Sequence, residues 1–583
     1  MVAFAKQPIY DARQEDTVTY IAPLTEFRFL LDRVVGFAQV GATDRFADVL
    51  PDTVEAILVE AILVEAGRLC FEVLSPLQRS GDKHPARLEN GVVRTSPGFA
   101  EGYRAIVEGG RVGILADLAQ GGMGLPVTLA NRVNDKMASA CLALQINPLM
   151  TQGQIEALEH HASDAIKAVY LPRLISGEWC GTTNLTEPQA GSDVGALRTR
   201  AEPVGDGTYA VTGRKIYISW ADNDFTANFC HLVPARLPGA GAGTRRISLF
   251  VVPKIIPDAE GRLGARNALK VVSLEHKLGL HGSPIAVMQY GGAVGWLVGE
   301  PDRGMAAMFA MMNNARLVVG VQGIGVAEAA TQAALTYALD RKQGRTPLGA
   351  GAIFDHADVR RMLAVMRAET FAARVIALAC AVAIDMGRAT GDAGWLARAA
   401  LLTPIAKAYG TDVGCEVAQI GVQVHGGMGF IEQTGAPHYA RDVRVTAIYE
   451  GTNRIQAMDL VGRKMMDGGA AAFAVLDEVA GAVGPADLVA DVVAAGAALR
   501  DATKSLVAQE MKDRFAGAVP CLRAFARVLG AHFHLAAAAA DTAREALARV
   551  YIKRLLPEHA ALLAQVREGA AGLCALDARA LSA

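Results

Sequence analysis

Glu450 stands where an apolar stretch delivers an acid directly to a glycine, in RDVRVTAIYEGTNRIQAMDL, residues 441–460. Burial raises a carboxylate's pKa toward neutrality and makes it a better base, a setting suited to removing a weakly acidic proton. Alone, the same residue equally fits the first turn of a helix, where the dipole favours an acid.

Four more segments hold groups that can do chemistry. NLTEPQAGSDVGAL, 184–197, supplies the polar side chains of Thr186, Ser192 and Asp193 and a flexible Gly191. A turn with a helix cap would use the same residues. GRKIYISWADN, 213–223, ends an alternating strand on Ser219 and Trp220, a hydroxyl and a ring that suit a flat cofactor or, for Trp220, plain core. ALDRKQGR, 338–345, carries Arg341, Lys342 and Arg345, which read as phosphate ligands or as a solvated charged face. GVQVHGGMGFIEQT, 421–434, packs three glycines into four residues and would let backbone approach a pyrophosphate, or simply turn. It lacks the strand–G-x-G-x-x-G–helix setting of a nicotinamide site.

The elements that must position these groups fall into an α, β, α order with a further α module. Residues 1–180 carry helical spacing, for example Phe27, Leu30, Leu31 and Val34, and Leu142, Ile146 and Leu149. Residues 181–300 hold short β-branched and aromatic runs bounded by Gly and Pro, which predict a small β domain. Helical patterns resume over 301–466, opening with Met308, Met311 and Met312, read as core packing. A Gly/Ala-rich break at 467–484 precedes the last helices, and 467–583 forms the added module. The tandem EAILV at 55–59 and 60–64 is foreign to this order, because five residues turn a helix face by about 140°. A tolerated insertion near a helix end accounts for it.

Composition narrows the classes. The chain has 583 residues, 52% hydrophobic and 20% charged, which suits several packed domains and not extended disorder. A net charge of −2 offers no general attraction to nucleic acid or to an anionic membrane. The eight cysteines are scattered with no C-x-x-C pair, as expected of reduced thiols in a cytoplasmic protein with neither disulfide framework nor metal site. No secretory leader or uninterrupted apolar run of about 18 residues is evident.

In this order and register, over 184–460, the five segments resemble the acyl-CoA dehydrogenase family; LTEPQAGSD and IYEGTNRIQ are the most specific. The resemblance implies a mainly α fold with a central, barrel-like β domain, an N-terminal helical domain, a C-terminal four-helix domain and an extra C-terminal helical module. LSPLQRSGD, LENGVVRTSPGF and SLEHKLGLHGSP are similar to the subgroup of 3-methylmercaptopropionyl-CoA dehydrogenases and related broad-range bacterial enzymes. It further implies FAD as cofactor, an acyl-CoA substrate, an electron-transfer flavoprotein as acceptor, and a homodimer or homotetramer. Carried over by position, Glu450 is the catalytic base. Leu185, Thr186, Tyr217 and Ser219 line the flavin, Thr452 and Asn453 lie beside its diphosphate, and Ser192 and Arg316 lie near the acyl-CoA. Arg341, with Gln423 and Gly427, would reach the FAD of an adjoining subunit. Asn184, Gln120, Trp220 and Arg111 depart from the subgroup's usual residues, and Gln120 and Asn184 are expected near the acyl pocket.

An acyl-CoA oxidase shares the first half-reaction. A nitroalkane oxidase would use an aspartate base, where this chain has Glu450. A DNA-binding flavoprotein of the same superfamily would need a basic C-terminal module, whereas 466–583 holds 12 Lys/Arg against 13 Asp/Glu.

Overall fold

The computed structural model describes residues 20–47, 55–241, 243–346 and 351–582. The extreme N-terminus and the side chains of the first EAILV copy, Met311 and Met312 lie outside the described residues.

The N-terminal part is helical. Helix α1 (Glu55–Leu69) passes through a π turn, Cys70–Leu74, into α2 (Ser75–Lys83). Along this stretch Leu63, Ala66, Leu69, Cys70 and Leu74 are buried among the described side chains. A short hairpin, Arg87–Glu89 with Val92–Arg94, interrupts the helices, a feature that helical periodicity did not foretell. Helix α3 (Val127–His161) is kinked at Cys141 and buried along nearly its whole length.

The β domain follows. Its strands are β1 (Trp179–Thr183), β2 (Arg200–Pro203), β3 (Tyr209–Ser219), β4 (Asn228–Ala235), β5 (Ser248–Pro253), β6 (Leu269–Leu274) and β7 (Ile285–Val298). They run β1-β4-β5-β7-β3-β2, with β6 also paired to β7. The β1–β4 pair is parallel and the others antiparallel. Arg200 bridges Arg236 just past β4, folding the sheet back toward a barrel. Strand β7 spans both halves because it is 14 residues long: its end pairs with β5 and the rest with β3.

Three long helices then form the bundle: α4 (Gly304–Asp340), α5 (Ala357–Thr390) and α6 (Ala393–His425). Segments of α4 and α5 are long and apolar enough to cross a membrane by length and composition, but 94% of each most apolar window is buried here, as for central core helices. Helix α7 (Ala436–Val443) leads to the short fourth member, α8 (Asn453–Asp459), extended by a π turn to Lys464. Helices α4 and α6 touch backbone to backbone. A Cβ on Gly320 would meet the Ala406 oxygen at 2.6 Å, and one on Gly323 the Gly410 oxygen at 2.4 Å.

The break expected at 467–484 contains a helix, α9 (Ala470–Ala480), because Val475, Leu476 and Val479 find cover. Helices α10 (Ala486–Val507) and α11 (Ala518–Ala540) complete the module's centre. Arg527 of α11 reaches Glu369 on α5 and Tyr409 on α6, and Arg523 reaches Glu416 on α6. The module is thereby bolted to the bundle by buried charge.

Candidate active site

A cavity of about 780 Å³ opens where the β domain faces the bundle. Its walls include Leu185, Thr186, Ser192, Tyr217 and Ser219 from the β side, Glu275–Leu280 from the loop before β7, and Arg441, Tyr449, Glu450 and Thr452 from the bundle side. Two of the five segments therefore meet Glu450 across one space.

Local geometry explains how each group is presented. After α7 the chain winds through a 3-10 turn, Arg444–Ala447, and Glu450 then takes a left-handed φ of 53° before Gly451 at 80°. Thr452 ends the reversal as the N-cap of α8, its hydroxyl accepting from the Ile455 N–H at 3.3 Å. Gln456 reaches back to the Glu450 and Gly451 carbonyls. Glu450 thus belongs to the turn before the helix and not to the helix. Its N–H has no acceptor among the described residues.

On the opposite wall, a register shift between β3 and β7 falls at Tyr217, whose φ of 60° turns its ring outward. Bulges recur beside active sites because they re-aim side chains. The Ser219 carbonyl accepts from Thr182 at 2.8 Å. Trp220 points away into the core, where its indole N–H donates to the Ala143 carbonyl at 3.1 Å. Among the described residues, Asn90, Tyr217, Trp220, Leu280, Asp302 and Glu450 are the non-glycine residues with positive φ; four of these lie at or beside this cavity.

The loop bearing Leu185 and Thr186 is closed from below by a buried pair that sequence reading missed. Lys215 Nζ donates to Glu187 at 2.8 Å, the Leu185 carbonyl at 3.3 Å and the Pro234 carbonyl at 3.0 Å. Glu187 also accepts from the Arg198 and Thr199 N–H groups and the Thr199 hydroxyl. Burial works against its charge, but Lys215 and these donors hold Glu187 down at about 2. Burial costs the ammonium more than one carboxylate returns, so Lys215 sits at about 8. A lysine in the middle of an alternating strand was the available signal.

Glu450's carboxyl is enclosed by the cavity walls, and burial raises its pKa; Arg316 and then Lys407 pull the other way. Arg316 is buried 3.8 Å from Asp459, and Lys407 is fully buried on α6. Asn453 is buried too, its amide turned to α6. Tyr449 donates to Gln322, which donates to Gln145 at 2.7 Å, anchoring the residue before Glu450 to α4 and α3.

The cavity's outer wall is pinned where three parts of the chain meet. Arg441 grips Asp82 of α2 at 2.8 and 2.7 Å. Asp442 accepts from the Leu280 N–H at 2.6 Å and pairs with His438 at 2.8 Å. Burial opposes the charge on His438, but Asp442 and Asp82 more than offset it and raise its pKa.

Arg341, Gln423 and Gly427 are exposed and outside the cavity. They gather at one end of the α4–α6 pair, where Tyr337 stacks on His425 at 4.4 Å. Gln120 lines a separate cavity of about 380 Å³, and Asn184 is buried against Tyr290 at 2.8 Å; neither lines the space around Glu450.

Known proteins share this plan. The acyl-CoA dehydrogenase N-terminal, middle and C-terminal domain families match residues 82–178, 182–291 and 302–466, and an "acetyl-CoA dehydrogenase C-terminal like" family matches 470–577. The chain is 42% identical over 524 residues to 3-methylmercaptopropionyl-CoA dehydrogenase of Ruegeria pomeroyi, covering 87% of this chain and 88% of that protein. It is 34% identical over 418 residues to a butyryl-CoA dehydrogenase of Syntrophomonas wolfei, covering 68% of each. Caenorhabditis elegans ACDH-11, solved with C11-CoA, superposes with a TM-score of 0.74 at 20% identity over 95% of this chain and 94% of that one. A Bacillus anthracis acyl-CoA dehydrogenase, solved with FAD, gives 0.71 at 21% identity over 90% and 89%. The cavity's chemistry fits a flavin: the hydroxyl-bearing Thr186, Ser219 and Thr452 line it together with the apolar Leu185, Met308 and Ile448, the mixture that a ring with an apolar face and a polar edge requires. The chain belongs to the acyl-CoA dehydrogenase family and is an FAD-dependent oxidoreductase.

Proposed function

We propose that Glu450 is the base that removes the α-proton of a short or medium acyl-CoA thioester, with 3-methylthiopropionyl-CoA the first substrate to test. The carrying observation is that Glu450, its own N–H without an acceptor, shares one cavity with Thr186 and Ser219. The 42% identity to a 3-methylmercaptopropionyl-CoA dehydrogenase supports the substrate. Bound FAD supplies the acceptor for the hydride that leaves the β-carbon. The protein's residues do the rest. Glu450 takes the α-proton as the α,β double bond forms, and its N–H polarises the thioester carbonyl, making the α-proton acidic enough. Leu185, Thr186, Tyr217, Ser219 and Thr452, with Asn453 behind, form the flavin-facing wall, and Ser192 sits at the rim where the CoA part enters. Arg316 steadies the charge on the base.

Electrons pass on to an electron-transfer flavoprotein in this reading. Arg341, Gln423 and Gly427, beside a Phe430 that is 87% exposed, form a surface that meets a second subunit in a homodimer or homotetramer.

Anaerobic flavin bleaching with a panel of acyl-CoAs tests substrate and base together. Wild type bleaches most rapidly with 3-methylthiopropionyl-CoA or a short-chain ester, and Glu450→Gln keeps FAD while losing about 10²–10⁴ in rate. Bleaching of E450Q at the wild-type rate would remove Glu450 from this role. Rapid oxygen uptake without an added flavoprotein acceptor would favour the oxidase reading.

A further inference from the structure

We propose that Lys407, behind Arg316, is a second buried counter-charge that helps keep Glu450 ionised when the site closes over a thioester, acting through space and through Asn453 as a positioning residue. This rests on Glu450 being the base.

Lys407 is fully buried on α6, a place where an ammonium is expensive unless charge answers it. Among the described residues its Nζ makes one hydrogen bond, to Asn453 Oδ1 at 2.9 Å. Asn453 cannot be flipped, because its Nδ2 donates to Asp412 at 2.7 Å and to the Ala408 carbonyl at 3.2 Å. Its oxygen therefore has to face the lysine. Asn453 is the first residue of α8, three beyond Glu450, so the bond also fixes the turn that carries the base.

No carboxylate bonds Lys407 directly. The groups that act on it are Glu450 first, then Asp412, Arg316 and Cys415. Those that act on Glu450 are Arg316 first and then Lys407, with the half-buried Tyr449 phenol beside it. Arg316 already answers Asp459, so its charge is divided. Among the anions that act on Lys407, Glu450 comes ahead of Asp412. The glycine contact of α4 on α6, where a Cβ on Gly320 would also sit 3.1 Å from the Lys407 Cα, is what brings the two cations to one turn.

The chemistry explains the need. Desolvation by a bound acyl-CoA favours the protonated acid, and a protonated Glu450 is no base. Burial brings Lys407 itself down to about 8, so it is a cation at neutral pH and below and there offsets this, while leaving the carboxylate basic enough to accept the α-proton.

The test uses holoenzyme with Lys407→Met, Lys407→Arg and Glu450→Gln. The Glu450 carboxylate is titrated by pH-difference infrared spectra, with E450Q as the blank. In K407M the midpoint rises by about one unit, and K407R keeps it near the wild-type value. The pH profile of anaerobic flavin reduction moves with it: about tenfold slower on the acidic limb, recovering at high pH. A K407M protein that keeps its FAD and its midpoint overturns the proposal, as does a uniform fall in rate at every pH. If K407M does not bind FAD, Lys407→Gln decides the matter. It can still donate to Asn453 but carries no charge, so its midpoint rises as in K407M; an unmoved midpoint overturns the proposal. An E450Q enzyme that still reduces its flavin sinks the base assignment itself, whereas an inactive E450Q with an unmoved K407M midpoint sinks only the role of Lys407.

Discussion

Replacing Lys215 by Met tests how the loop bearing Leu185 and Thr186 is held. The substitution preserves apolar bulk but leaves Glu187, 4% exposed, without its cation. Breaking a buried pair by removing one partner costs about 3–5 kcal/mol. Glu187 keeps donors from Arg198, Thr199 and Gln189, so the low end applies, about 3 kcal/mol. With a urea slope of about 3 kcal/mol per M, the midpoint falls by about 1 M. Because Lys215 also holds the Leu185 carbonyl, FAD occupancy, read from the flavin-to-protein absorbance ratio, falls with it. The pH dependence carries a sign. Glu187's carboxyl is held at about 2, below its ordinary 4.5. Its contribution is complete above pH 4.5 and disappears as pH falls toward 2. The gap between wild type and K215M should therefore be full at pH 7 and narrow in acid, where the mutant's unpaired Glu187 can take up a proton. A K215M protein with wild-type midpoint and full FAD at pH 7 would refute the reasoning.

Two more perturbations address the site's supports. Asp442→Asn retains the Leu280 bond but strips His438 of its nearer carboxylate, leaving Asp82 at 3.9 Å. Since His438 is raised above 6.5 in the folded protein, its stabilising charge is present below that pH and lost as pH climbs through the folded value. Melting temperature should fall across this window in wild type and change less in D442N; parallel curves would show that the pair does not titrate. Arg527→Met strands Glu369 and loosens the module from the bundle. Urea unfolding should lose about 3–5 kcal/mol, with proteolysis of 467–583 preceding that of the bundle; simultaneous cleavage would show that the two do not separate.

The architecture was legible because its signals are local. Helical spacing around Leu142 and β-rich runs such as TYAVTGRKIYIS each report their own element. Glu450 was legible as an acid at the end of an apolar stretch. Its electrostatic neighbours were not, since Lys407, Arg316 and Glu450 come together only through helix packing that glycines permit. Lys215 and Glu187 escaped for a related reason: they are 28 residues apart, and a buried charge pair has no periodicity. The break at 467–484 was misread because glycine and alanine content argues for a loop only where no neighbouring helix offers cover, as α10 does for α9.

The backbone at the cavity has a bearing on protein engineering. Tyr217, Trp220, Leu280 and Glu450 hold a left-handed φ, a conformation that costs an L-residue roughly 1–2 kcal/mol. Such cost persists only where surrounding structure enforces it. At the exposed Tyr217 and at Glu450 glycine would relax it with little packing lost, so a library screened for heat resistance alone should enrich glycine there; at the buried Trp220 and Leu280 the cavity left behind costs about 2–5 kcal/mol and outweighs the gain. On the reading proposed for Glu450, the survivors would be sturdier and catalytically poorer: they would lose the outward ring at 217 and the acid at 450. Selection for turnover after each round of heating is what would keep these residues in the sequence.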